Sequence, residues 1–154
     1  MSDAVLAGAG APPPAGPFKI GSVEVGSRVL PAPMCNISDR PFRGLARVMG
    51  ADLVFTQMVS AEGLVRNDEG TWRILDIAGE EPPVTVQLLG SHPESLARAA
   101  QILEEQGAAI VDLNMGCPAR KVTGGNCGSA LMRQPALVAQ IVRAIRGAVR
   151  IPFT

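Results

Sequence analysis

Between Asp112 and Arg133 the chain sets an amide, a thiol and two cations in close succession: Asn114, Cys117, Arg120 and Lys121. They follow a short apolar run, Ala109-Ile110-Val111, which reads as a buried strand. Gly116 allows a sharp turn after it. Pro118 fixes φ and removes a backbone donor, so Cys117 is expected on a stiff bend at a strand end. A thiol beside cations in such a place can serve as an acid or a nucleophile. A buried structural cysteine fits the same residues, and at this level both readings stay open. The single His92 and the spacing of Cys117 and Cys127 form no zinc set, so no metal is expected. Gly124-Gly125 lacks the Gly-Lys-Ser/Thr ending of a P-loop and reads as a mobile loop.

The elements that must position these groups alternate along the chain. Residues 1–17, rich in Ala, Gly and Pro, read as a disordered tail without the basic start of a signal peptide. Residues 18–154 read as one partial catalytic domain. Phe18 to Arg28 suggests a β-hairpin capping the end of a larger sheet. Val29 to Met34 reads as a buried strand. Ser38 or Asp39 then caps a helix with Phe42, Leu45 and Ala46 on its inner face and Gly50 as its stop. Asp52 to Thr56 is the next expected strand. Met58 to Glu80 looks irregular apart from a helix near Thr71 to Ile77. Val84 to Leu89 is apolar on both faces except for Thr85 and Gln87, as in a parallel strand covered by helices. Ser91 and Glu94 form a capping box, and Leu96, Ala99, Ala100 and Leu103 make the inner stripe of the helix they open. Pro135 opens a last helix, with Leu137, Ile141 and Ile145 inward, and Ile151 to Thr154 begins a fifth strand.

This order predicts an α/β chain of parallel βα units. Polar residues gather at the C-terminal ends of the strands, at Met34-Cys35-Asn36, Gln57, Gln87 and Asn114 to Cys117, where a (β/α)8 TIM barrel keeps its active site. A doubly wound sheet shares the periodicity, but no G-x-G-x-x-G follows the first strand. A full barrel takes roughly 250 residues, so 154 residues read as its N-terminal half, truncated near the fifth strand. Net charge is zero and aromatics are 3% of the chain, which argues against a strongly basic or aromatic-rich nucleic-acid surface. Three cysteines without a signal peptide fit free thiols in a cytoplasmic setting. No apolar run reaches the ~20 residues that span a bilayer, so no membrane is expected.

Several segments together resemble the tRNA-dihydrouridine synthases, most closely the bacterial B-type subfamily. They are Ala32-Pro33-Met34, Ser38-Asp39-Arg40-Pro41-Phe42-Arg43, Gln57-Met58-Val59-Ser60-Ala61 and Val86-Gln87-Leu88-Leu89-Gly90. The strongest is Asn114-Met115-Gly116-Cys117-Pro118, with Lys121-Val122 and Gly128-Ser129-Ala130-Leu131-Met132 after it. The likeness runs from about residue 18 to 154, with the segments in the family's order and spacing.

The resemblance implies an FMN-dependent (β/α)8 oxidoreductase, driven by NAD(P)H, that reduces the C5=C6 bond of uridines in tRNA. It implies that hydride goes to C6 and that Cys117 donates a proton to C5. A free thiol, with an ordinary pKa of about 8.5, holds its proton at neutral pH yet is acidic enough for that task. It implies that the backbone of Pro33, Met34 and Cys35 lies against the flavin ring, and that Gln87 hydrogen-bonds the ring's edge. Asn114 is implied beside flavin and uracil, and Arg120 and Lys121 beside tRNA phosphates. A flipped-out uridine is expected, because a stacked base cannot reach a barrel mouth. From the residues alone, Gln87 is also readable as a polar group satisfied inside a barrel layer. Asn114 is also readable as a turn-forming Asn that bonds its own backbone.

Cys35 and Cys127 depart from the family's more usual small residues and are expected to be bystanders. The family's flavin-contacting lysine, a later histidine, the glycine-rich phosphate loops and a helical tRNA-binding domain have no match here. Residues 1–154 alone are therefore expected to bind flavin poorly and to turn over no uridine. Two other readings are a different FMN barrel acting on a small pyrimidine or enone, and a non-catalytic fragment that binds RNA or dimerises. Oligomeric state has no signal in the sequence.

Overall fold

A computed structural model describes residues 16–154. The expected tail therefore lies, except for Gly16 and Pro17, outside the described residues. Phe18–Ile20 (β1) and Val23–Val25 (β2) form the antiparallel hairpin the alternation predicts, with Phe18 opposite Val25. Gly21 turns it at φ +58°, and a Cβ there would come 2.7 Å from Pro152 Cγ, so the turn lies flat against the far strand. Val25 packs with Leu53 and Ile110, and Phe18, Ile20 and Val23 close over them. The hairpin thus covers the N-terminal ends of the main strands.

Those strands are Val54–Phe55 (β3), Val59–Ser60 (β4), Val84–Leu89 (β5) and Ile110–Leu113 (β6). All pair in parallel, with β3 and β4 on one side of β5 and β6 on the other. Phe153 then bridges Val111, also in parallel, where the fifth strand was expected. On the outer edge the chain advances five residues, Val54 to Val59, while β5 advances four, Val84 to Leu88. The extra residue is a bulge. Thr56, fully buried, repairs the ladder there: its amide donates to the Thr85 carbonyl (2.9 Å) and its hydroxyl accepts from the Gln87 amide (3.2 Å).

The helices are Arg40–Val48 (α1), Ala61–Val65 (α2), Glu69–Leu75 (α3), Pro93–Glu105 (α4), Arg120–Thr123 (α5) and Pro135–Ala148 (α6). Leu64 of α2, Leu96, Ala99, Ala100 and Leu103 of α4, and Ile141 and Ile145 of α6 share one core with Val84, Val86, Leu88, Val111 and Leu113. The strands therefore follow chain order, and these helices lie on one face. The other face carries Thr85, Gln87 and Asp112, by the two-residue alternation of strands. Among the described residues, no helix is long and apolar enough to cross a membrane.

The structure corrects four expectations. Val29 to Met34 joins no ladder, and Val29 is 79% exposed; prolines 31 and 33 leave it two donors short. The inner face expected of α1 holds only in part: Ala46 packs against the core, but Leu45 is 61% exposed, whereas Arg43 is buried. Asp39 caps this helix, accepting from the Phe42 amide (3.0 Å). The 58–80 stretch is more regular than its polarity suggests, because Ser60 and Asp68 are N-caps accepting from the amides of Gly63 (3.1 Å) and Thr71 (2.7 Å). Thr71, through hydroxyl and amide, holds the Asp68 carboxyl below the usual range. Ser91 forms no capping box. Pro93 takes the first position of α4, which makes His92 the N-cap, and the Ser91 hydroxyl donates to the Gly125 carbonyl instead (3.2 Å).

Candidate active site

At the C-terminal ends of the strands lies a cavity of about 540 Å³. Gln87, Leu113, Asn114, Met115, Gly116 and Cys117 form one wall, and Pro33, Cys35 and Met58 the other. Five of the residues singled out from the sequence, Pro33, Cys35, Gln87, Asn114 and Cys117, therefore meet around one space. Met34 belongs to the same turn as its neighbours but does not line the cavity. Arg120 lines a different cavity, and Lys121 is exposed nearby on α5.

The first wall is a hydrogen-bonded line of side chains. Asn114 Nδ2 donates to Gln87 Oε1 (2.8 Å), and Gln87 Nε2 donates to Asp112 Oδ2 (2.6 Å). The Thr154 hydroxyl closes the line on Asp112 Oδ1 (2.9 Å). The ladder brings these groups together, because Gln87 stands opposite Asp112 in the β5–β6 register. An amide side chain offers two N–H groups and two lone pairs, so Gln87 keeps one of each beyond these bonds. Two positions deeper on the same face, the buried Thr85 hydroxyl has no partner among the described residues.

Asn114 also shapes the thiol loop. Its Oδ1 accepts from the amides of Cys117 (3.0 Å) and Gly116 (3.3 Å), so the Asx turn read from the sequence and the link to Gln87 exist in one side chain. The Cys117 carbonyl accepts from the Ser129 amide (3.0 Å). Gly128 passes beneath it at φ +60°; a Cβ there would lie 2.5 Å from the Cys117 carbonyl oxygen and 2.6 Å from a Val122 methyl. Cys117 is thus held from both sides, with its thiol half-buried and free of any disulfide. Cys35 and Cys127 are free as well.

The second wall has no ladder, and side chains alone hold it. Ser38, fully buried, accepts from the Met34 amide (2.9 Å) and donates to the Ala32 carbonyl (3.2 Å). The bulge next to Thr56 aims Gln57 at this turn, where its Oε1 accepts from the Asn36 amide (2.8 Å). Arg43 anchors the arrangement. It donates to the Ser38 carbonyl (2.8 Å) and the Asp76 carbonyl (2.8 Å), and its Nη2 meets Glu80 at 2.6 Å.

Sequence reading missed Met58, Asp112, Gly128 and Arg43 as parts of this site. Asp112 was findable, since it shares a strand face with Asn114 by simple alternation. Gly128 stands in one of the segments that carry the family resemblance, but nothing in its neighbours along the chain points to the Cys117 carbonyl. Among the described residues, no cluster of His, Cys, Asp and Glu could hold a metal ion.

The cavity suits a flat ring with an amide-like edge. Its walls mix Pro33, Leu113, Met58 and Met115 with the uncommitted donor and acceptor of Gln87, but no cation among the lining residues faces it. Chemically, the arrangement can seat a heteroaromatic ring and present a thiol proton to it.

The family model for dihydrouridine synthase (Dus) matches residues 30–154. The chain is similar to a probable tRNA-dihydrouridine synthase of Rickettsia typhi, 43% identical over 89% of this chain and 42% of that protein. It is similar to tRNA-dihydrouridine synthase B of Pseudomonas aeruginosa, at 44% identity over 88% of this chain and 41% of that protein. The corresponding protein of Escherichia coli K12 is 43% identical over 89% of this chain and 43% of its own length. The chain thus spans about two fifths of the length of these curated relatives.

Proposed function

Since the chain belongs to the dihydrouridine synthase family, we propose that its cavity is the flavin and uracil site of a tRNA uridine reductase. In this reading the four parallel segments and Phe153 are the leading part of a (β/α)8 barrel. Chain-order strands with helices on one face support this over a doubly wound sheet. The substrate is tRNA, the cofactor FMN and the reductant NAD(P)H.

The observation that carries the proposal is the convergence of Cys117, Asn114 and Gln87 on one cavity through direct side-chain bonds. Bound FMN would supply the hydride for C6 of the uracil ring. Cys117 holds the proton for C5, and loop bonds from Asn114 and Ser129 keep its sulfur at the cavity wall. Fixing the acid before the base arrives removes the entropy of finding it. Gln87 is locked in rotamer by Asn114 and Asp112, so its remaining N–H and lone pair point in one direction, toward the edge of a ring. The Pro33-Met34-Cys35 backbone, kept in place by Ser38, supplies a flat surface for the ring. Arg120 and Lys121 contact tRNA phosphates.

The test joins residues 1–154 to the remaining length of the Escherichia coli relative and assays unmodified tRNA. Cys117→Ala should slow dihydrouridine formation at least about a hundredfold, the usual scale of one acid catalyst. Oxidation of the nicotinamide by the flavin should persist. Undiminished dihydrouridine formation would remove Cys117 from the reaction. Free uracil turned over as well as tRNA would instead favour a small-molecule oxidoreductase.

A further inference from the structure

Asp112 lies half-buried on the face of the sheet opposite the helices, and among the described residues it enters no ion pair. Its carboxylate accepts only from neutral groups, Gln87 Nε2 (2.6 Å) on one side and the Thr154 hydroxyl (2.9 Å) on the other. A carboxylate drawn out of water without a cation is costly, so its place here calls for a reason other than stability.

What the carboxylate supplies is a direction. An ionised carboxylate accepts hydrogen bonds and donates none, whereas a backbone N–H only donates. The side-chain line of the first wall runs between two such ends. The Cys117 amide donates to Asn114 Oδ1 (3.0 Å), Asn114 Nδ2 to Gln87 Oε1 (2.8 Å), and Gln87 Nε2 to Asp112 Oδ2 (2.6 Å). Every bond points toward Asp112. A primary amide can sit either way round, but turning Gln87 over would set oxygen against the Asp112 carboxylate and N–H against the Asn114 N–H. Bonds aligned in one sense also polarise and strengthen one another.

We propose that Asp112 is a positioning residue for the Cys117 loop. Its carboxylate bonds to no group of that loop and acts on it through Gln87 and Asn114. With the acceptor in place, Gln87 turns its oxygen to Asn114, and Asn114 turns its own oxygen to the loop amides. This rests on the reading of Cys117 as proton donor and adds the residue that keeps the donor at the cavity wall.

The test follows alkylation of each cysteine of the 154-residue chain by iodoacetamide, read by peptide mass mapping without flavin or RNA. Asp112→Asn and Asp112→Leu remove the same charge, so any effect of that charge on the thiol through space is common to both. The Asn variant keeps an oxygen that accepts from Gln87; the Leu variant, similar in shape, keeps none. Asp112→Leu should speed alkylation of Cys117 about three- to tenfold, the scale of one hydrogen bond. Asp112→Asn should leave it near the parent rate, and Cys35 and Cys127 should keep their rates in both. In an Asn114→Ala background, where the line is already cut, Asp112→Leu should add nothing. Gln87→Met, which cuts the line without touching Asp112, should reproduce the Leu effect at Cys117 alone. Equal acceleration by Asn and Leu would assign the effect to charge and overturn the proposal. So would acceleration of all three cysteines, a further gain on top of Asn114→Ala, or a Cys117 rate unmoved by Gln87→Met. Dihydrouridine formation is read separately: if Cys117→Ala leaves it intact, the reductase reading falls while the line from Asp112 to the loop stands.

Discussion

The two walls of the candidate site are built on different principles. The Gln87–Asn114 wall rests on backbone pairing: β5 and β6 hold register over four residue pairs, and the side chains meet because the ladder puts them opposite one another. The Pro33–Cys35 wall has no ladder, and distant side chains hold it, above all Ser38, Gln57 and Arg43. The first wall loses one contact at a time when it is mutated. The second hangs on a few long-range side-chain bonds gathered around the buried Arg43–Glu80 pair, so its failure is collective.

The contrast can be tested first where the effect should be largest. Arg43→Met strands the Glu80 carboxylate, whose side chain is only 9% exposed, and frees the carbonyls of Ser38 and Asp76. Loss of about 3–5 kcal/mol is expected, the scale of breaking a buried pair from one side. Urea unfolding would measure it, and a loss under about 1 kcal/mol would show that the second wall stands without its anchor.

Gly128→Ala strikes the first wall at its tightest point. A left-handed φ and a Cβ pressed on the Cys117 carbonyl should cost about 1–3 kcal/mol. The Cys117 thiol should alkylate faster as its loop loosens, while Cys35, on the opposite wall, keeps its rate. Equal acceleration at both cysteines would mean general unfolding and not a local clamp.

Asn114→Ala should be the mildest of the three. It removes the acceptor for the Cys117 amide and the donor to Gln87, both part-buried, for about 0.5–1.5 kcal/mol. Asn114→Asp keeps the acceptor but sets a second carboxylate on the face that carries Asp112. Restored thiol protection in the Asp variant, without restored stability, would separate the loop role from the link to Gln87.

Much of the first wall was legible along the chain. Val84 to Leu89 reads as a covered parallel strand because both faces are apolar apart from Thr85 and Gln87, and those two exceptions share the face that becomes the site. The inner stripe of α4 follows from its 3.6-residue spacing, and all four of its residues are fully buried. Asn114, Gly116, Cys117 and Pro118 announce a stiff bend through residue type alone. Local rules suffice there, since periodicity and turn chemistry act over a few neighbouring residues.

The second wall was misread for the complementary reason. Val29 to Met34 has the composition of a strand, but a strand also needs a partner, and composition carries no information about one. Arg43 has the local marks of a surface residue. Only the fold brings Glu80 and the Asp76 carbonyl from more than 30 positions away to meet it, and so turns a charged side chain into the buried anchor of α1. Gly128 is similar: its need to be glycine comes from the Cys117 carbonyl across a loop, and not from its neighbours in the chain. Residue type and periodicity thus determined the strand Val84 to Leu89, the inner faces of α4 and α6 and the thiol group on its stiff bend. Which distant side chains hold that group against its cavity was decided by tertiary structure, because those bonds join residues that chain order keeps far apart.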